Sequence, residues 1–250
     1  MAHLLAIANQ KGGVGKTTSV INLGAALAQA GRRVLLIDLD PQASLTAAVG
    51  IDERTLERSL YNVLTGEAEL GDVLIAAHGL TIAPASIDLA AAELQLISEV
   101  GRERVLAEAL IDHLDVFDDI VIDCPPSLGI LTLNALSAAD EVIIPVQCHF
   151  LALRGLAMLF TSIEKIRRRS NPRLRIRGIL PTMYDSRNAH EREVVADLEA
   201  RYGSLVFQPV RRSTRFADST LAGKPMLDFD ARHAGSQVYR DLATEVLRVV

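Results

Sequence analysis

Apolar residues along this chain fall into short continuous runs, separated by longer stretches in which they return every three or four positions. The runs are LLAIAN (4–9), RVLLIDLD (33–40), LTIAPA (80–85), DIVIDCP (119–125), EVIIPVQ (141–147) and LRIRGILPTMY (174–184). Aliphatic and β-branched runs of this kind predict strands buried on both faces of a parallel sheet. Between them the spacing predicts helices near 16–30, 88–114, 129–138, 151–169 and 187–201, with a last one near 235–249. Strand and helix in alternation predict a doubly wound α/β fold, a mostly parallel sheet flanked by helices. The least regular segment, 203–233, carries PVRRSTR and AGKP and reads as surface loops around a short helix. No internal repeat, low-complexity tract or Pro/Gly/Ser-rich linker divides the chain, so one domain over residues 1–250 is expected.

Composition sets the class. A hydrophobic share of 49% suits one sizeable globular core. No apolar run approaches the ~18 residues that span a bilayer, and no basic segment followed by an apolar signal core opens the chain, so a cytoplasmic location is expected. Cys124 and Cys148 lie in apolar runs without metal-site spacing and are expected to be small buried residues. The net charge of −5 hides an asymmetry: residues 1–125 hold 8 Lys+Arg against 18 Asp+Glu, and residues 126–250 hold 18 against 13. The basic half makes a polyanionic partner possible despite the acidic total.

The first strand runs into ANQKGGVGKTTSVINL, residues 8–23. A strand, then glycines, then Lys-Thr opening a helix is a physical recipe for holding a triphosphate. Glycines let consecutive N–H groups turn inward, the helix N-terminus favours negative charge, and a lysine reaches the β- and γ-phosphates. In that scheme Gly13 and Gly15 shape the cradle, with Val14 and Thr18 in the same loop-to-helix turn. Lys16 contacts phosphate and Thr17 ligates Mg²⁺. Two strand ends bring carboxylates to the same edge. Asp38 and Asp40 stand two apart in LLIDLDPQ and share one side of an extended segment, suited to Mg²⁺ and an attacking water or to capping the next turn. DDIVIDCPPS delivers Asp123 as a magnesium ligand, in part through water, before Pro125 and Pro126 end the strand.

The pattern GxxxxGK[ST] would place glycine at position 10, where this chain has Gln10, and Lys11 follows as an extra cation. KGGVGKT resembles the deviant Walker A loop of the ParA and MinD ATPases. The wider sequence, over roughly residues 3–249, resembles the ParA (Soj) partition ATPases. The resemblance implies that Lys11 reaches the phosphates of the other subunit in an ATP-sandwich homodimer, and that Gly12 stays small where the two subunits approach. A cation supplied in trans couples dimerisation to ATP. The resemblance also implies that Asp40 positions or activates the hydrolytic water and that Asp38 lies near the magnesium shell. It assigns the adenine to TMYDSR (182–187), including Met183, and to the loop at Pro209. PVQCHFLALRGL resembles the family's segment after the next strand, with Arg154 where members commonly have Glu.

Two arginine clusters could neutralise DNA phosphates without reading bases. The first holds Arg167, Arg168, Arg169, Arg173, Arg175 and Arg177, and its first three also fit the cationic last turn of a helix. The second holds Arg211, Arg212, Arg215 and Arg232. Family members bind double-stranded DNA without sequence preference through arginines that match Arg212 and Arg232, with Arg215 nearby, although they usually show Ile-Pro-Arg at Val210-Arg211-Arg212. The implied role is chromosome or plasmid segregation with a ParB-type partner that stimulates hydrolysis, in a nucleoid-associated protein lacking an N-terminal helix-turn-helix. A MinD-like membrane switch is the alternative, but SQVYRDLATEVLRVV carries too few cations for a lipid-inserting helix and fits one docked on the core. A redox carrier would need exposed thiolates. A scaffold that binds nucleotide without turnover would be distinguished by Asp40.

Overall fold

The structure, a computed structural model, describes residues 1–149 and 152–248, with the side chains of 152–154 also outside the description. Seven strands form one sheet: β1 (His3–Ile7), β2 (Val34–Asp38), β3 (Ile75–Ala77), β4 (Leu80–Ala83), β5 (Asp119–Asp123), β6 (Glu141–Gln147) and β7 (Arg175–Thr182). Their spatial order is β3-β4-β2-β5-β1-β6-β7. Every pairing is parallel except β3 with β4. The helices are α1 (Lys16–Gln29), α2 (Ser44–Ala48), α3 (Leu60–Leu64), α4 (Leu89–Leu96), α5 (Val105–Ala109), α6 (Ile130–Ala138), α7 (Ala152–Arg169), α8 (Ala189–Tyr202), α9 (Arg215–Leu221), α10 (Met226–Phe229) and α11 (Ala234–Leu247).

The apolar runs are continuous because successive strand residues feed two cores. Leu4, Ala6, Leu35, Ile37, Ile120 and Ile122 pack on one face with α4, α5, α6 and α7. Leu5, Ile7, Leu36, Val121 and Ile143 pack on the other with α1, α2 and α11. Each fully buried Leu or Ile side chain contributes roughly 1.5–3 kcal/mol, so this two-sided burial dominates the fold. Helix α1 lies so close to β2 that a Cβ on Gly24 would stand 2.6 Å from a Leu36 methyl. Helix α11 buries Val238, Tyr239, Leu242, Ala243 and Val246, so its apolar face is spent on the core.

Departures from the sequence reading have local causes. The helix expected over 88–114 is broken between α4 and α5, where Gly101 takes a left-handed φ of 74°. Segment 203–233 carries two short helices, α9 and α10, rather than one. The edge strand β3 and the five-residue helices α2 and α3 were not expected, being too short to show a period. The expected helix limits at 151 and 249 lie outside the described residues, as does the Arg154 side chain.

Candidate nucleotide site and basic face

In the parallel sheet β1, β2 and β5 end at one edge, with Ile7 in register with Asp123 and Asp123 with Asp38. The loop after β1 therefore lies beside both strand-end carboxylates, at the point where the strand order reverses. Gly13 and Gly15 hold φ of 71° and 87°, a conformation that turns the loop amides inward. Side chains tie the loop down. Asn9 donates from Nδ2 to the Pro145 carbonyl at 2.7 Å and accepts at Oδ1 from the Lys11 amide at 3.0 Å. Thr182, at the end of β7, donates to the Val14 carbonyl at 2.8 Å. Asn9 was not singled out in the sequence, and Thr182 was placed only in the segment assigned to the adenine; their position at strand ends flanking the loop was the available signal for this second role.

Lys16 is buried at the first turn of α1, and its ammonium reaches back only as far as the Lys11 carbonyl, 3.4 Å away. Thr17 donates its hydroxyl to Asp123 Oδ2 at 2.6 Å, which brings together the two residues expected to share the metal. Asp123 Oδ1 is buried with no hydrogen-bond partner among the described residues. Burial, then the neighbouring Asp38 carboxylate, push the Asp123 carboxyl well above the usual range. An oxygen donor left uncompensated beside a hydroxyl suits a hard divalent cation. Thr17 and Asp123 thus fit Mg²⁺.

Asp38 stands differently. Its Oδ2 accepts from the Thr46 amide at 2.9 Å and the Thr46 hydroxyl at 2.7 Å, and its Oδ1 from the Asp40 amide at 3.3 Å. Burial raises its pKa to about 6. Both oxygens accept hydrogen bonds from the segment after β2. Asp40 is nearly buried, and its Oδ1 accepts from the Gln42 amide at 3.0 Å.

Lys11 is exposed, and its ammonium donates to Gln147 Oε1 at 3.1 Å, at the end of β6. A Cβ on Gly12 would meet nothing nearer than Pro126 Cβ, at 3.8 Å. Among the described residues nothing within one chain requires glycine at that position.

A cavity of about 350 Å³ opens beside the loop, lined by Gly15, Thr18, Met183, Val210, Phe216 and Tyr239 among others. Its size and apolar walls suit a nucleobase. Met183, one of the residues lining it, takes a left-handed φ of 54°. Pro209 lies outside this cavity and lines an adjoining one of about 570 Å³ with Gln208, Ser213 and His233. Arg211 and Arg212 line both.

The three arginines expected to contact DNA differ in their commitments. Arg212 pairs with the buried Glu191 at 3.5 Å, while 61% of its side chain remains exposed. Glu191 is itself fixed by the Asp185 amide at 2.6 Å. Arg215 is bound to Asp230 at 3.3 Å and lies 4.6 Å from the centre of the Phe229 ring. Arg232 is exposed, and no side-chain partner is found for it among the described residues. The first arginine cluster lies at the end of α7 and the start of β7, the opposite end of that strand from Thr182. Arg167 and Arg168 pair with Glu164 at 3.1 and 3.0 Å, and Arg177 with Glu141 at 3.6 Å. Glu141 also holds His3 at 3.1 Å. Burial alone would lower the His3 pKa, but hydrogen bonds to Asp119 and Glu141 outweigh it and raise the value to about 9.

Cys124 and Cys148 are buried as expected, and burial pushes both thiols up, Cys148 to about 12. No described helix is long and apolar enough to cross a membrane.

A family model described as an AAA domain matches residues 2–176. The chain is similar to the chromosome partitioning protein ParA of Caulobacter vibrioides, 46% identical over 98% of this chain and 94% of that protein. It is similar to the sporulation initiation inhibitor protein Soj of Bacillus subtilis, 43% identical over 98% of each. Among solved structures, the cobyrinic acid a,c-diamide synthase of Mycobacterium smegmatis with bound ATP analog and magnesium gives a TM-score of 0.88 at 43% identity, covering 99% of this chain and 95% of that one.

Proposed function

The chain belongs to the ParA/Soj family of partition ATPases, a P-loop ATPase using ATP and Mg²⁺, and from that premise we propose that it is an ATP-gated, nonspecific DNA-binding switch. In this reading two copies enclose two nucleotides, the dimer binds double-stranded DNA on the nucleoid, and hydrolysis stimulated by a ParB-type partner releases it. The whole cycle belongs to one domain. Lys16 neutralises the phosphates of its own subunit, Lys11 exchanges Gln147 for the phosphates of the other, and Asp40 orients the attacking water. Thr17 and Asp123 would hold Mg²⁺, which would supply positive charge against the phosphates.

One observation carries the reading. Arg211 and Arg212 line both the cavity beside the phosphate loop and the adjoining cavity that leads to His233, next to Arg232. Nucleotide site and basic face share a wall, so occupancy of one bears on the shape of the other. Half of the arginines of the first cluster are already paired with carboxylates, and the cluster sits at the end of α7 and the start of β7, while the wall adjoins the end of β7. Arg232→Ala and Arg212→Ala are each expected to weaken binding to random-sequence DNA about 5- to 10-fold and to reduce the salt slope by about one, with ATP affinity unchanged. Unaltered DNA affinity in both would move the DNA face elsewhere.

Gly12→Val tests the dimer. Because the single chain leaves ordinary contact distance there, with Pro126 Cβ 3.8 Å from an added Cβ, the variant is expected to fold and to bind ATP within about 3-fold of the parent. It is expected to stay monomeric with ATP in light scattering. An ATP-dependent dimer of Gly12→Val would defeat the close-approach argument.

The M. smegmatis structure gives a second reading, ATP-dependent amide synthesis on cobyrinic acid. Turnover that depends on cobyrinic acid and a nitrogen donor would favour it. Turnover of ATP to ADP and phosphate that responds to DNA and not to cobyrinic acid favours the switch.

A further inference from the structure

We propose that Thr46 is a positioning residue for hydrolysis, a hydroxyl clamp that fixes Asp38 and through it the backbone that carries Asp40. The inference rests on the assignment of Asp40 to the attacking water. Thr46 is fully buried on α2 and makes three contacts at once. Its amide and its hydroxyl both donate to Asp38 Oδ2, at 2.9 and 2.7 Å, and its hydroxyl oxygen accepts from the Ala85 amide at 2.9 Å. The opposite oxygen of Asp38 accepts from the Asp40 amide at 3.3 Å. A chain of hydrogen bonds therefore runs from the loop after β4, through Thr46 and Asp38, to the residue placed on the water.

The clamp explains why Asp38, although in register with Asp123 on the next strand, leaves Asp123 to face the phosphate loop. Two carboxylates at neighbouring strand ends compete for the same cation unless one is committed elsewhere. Thr46 commits Asp38. The bend between Asp40 and Thr46 also needs holding, since Ala43 takes a left-handed φ of 49°, a conformation that costs a non-glycine residue of order 1 kcal/mol. Without the hydroxyl, the Ala85 amide loses its acceptor and Asp38 Oδ2 keeps one donor instead of two. Asp38 is then freer to turn and Asp40 to drift. The ATP contacts of Lys16 and the loop amides involve neither group.

The test is steady-state turnover with direct ATP binding for the full chain carrying Thr46→Val, Thr46→Ser and, as reference, Asp40→Ala. Thr46→Val is expected to lower kcat at least 10-fold with ATP Kd within about 2-fold of the parent. Thr46→Ser, which keeps donor and acceptor, is expected to restore kcat to within about 2-fold. Thr46→Ala serves in place of the valine variant if that one does not fold, with the same expected loss. Normal kcat in folded Thr46→Val or Thr46→Ala, or an equal loss in Thr46→Ser, would overturn the clamp, provided that Asp40→Ala is inactive. Full turnover in Asp40→Ala would instead remove the assignment of the water on which the inference depends.

Discussion

Lys16→Ala is expected to lower ATP affinity at least 100-fold, measured by calorimetry or with a fluorescent ATP analogue. The ammonium is nearly buried and finds only a long contact with a carbonyl of its own loop, so it stands where a phosphate would receive it at little cost in reorganisation. Charge-assisted hydrogen bonds contribute about 1.5–3 kcal/mol each, and a lysine that bridges two phosphates makes more than one. A loss of about 3 kcal/mol corresponds to roughly 150-fold in Kd. Affinity retained in Lys16→Ala would remove the phosphate assignment.

Asp40→Ala is expected to separate binding from turnover. Positioned acid–base groups contribute about 10²- to 10⁴-fold, so a fall in kcat of at least 100-fold is expected, with ATP Kd within about 3-fold. The loss is chemical rather than structural. The one side-chain contact that Asp40 makes among the described residues is the 3.0 Å bond to the Gln42 amide, and loss of a turn cap of this kind costs about 1 kcal/mol. Phosphate release assays on purified protein measure the effect directly. Unchanged turnover would remove Asp40 from the attacking water and place that role elsewhere in the site.

How legible each part was in the sequence follows from how local its physics is. The central strands were plain because residues buried on both faces leave no alternative to an apolar run, as in VLLID and DIVID. The phosphate loop was plain because glycines, lysine and threonine must be contiguous to make a cradle. The commitments of the acids were not. Asp38 and Asp123 look equivalent as strand-end aspartates, and what divides them is Thr46, eight residues on, whose hydroxyl also accepts from the Ala85 amide after the neighbouring strand. In the same way Arg212 and Arg232 read alike along the chain, yet a buried Glu191 holds the first. Lys11 stood out as an extra cation, but its role came only by resemblance, and its partner Gln147 lies 136 residues away. Contacts over such separations carry no signal in spacing.

The most direct test of the switch is binding of the Asp40→Ala protein to random-sequence DNA and, in parallel, to anionic liposomes, each with ATP and with ADP, over a range of salt. Salt-sensitive DNA binding with ATP and not with ADP, and no binding to lipid, is the result predicted here. Lipid binding without DNA binding, or DNA binding indifferent to the nucleotide, would contradict it.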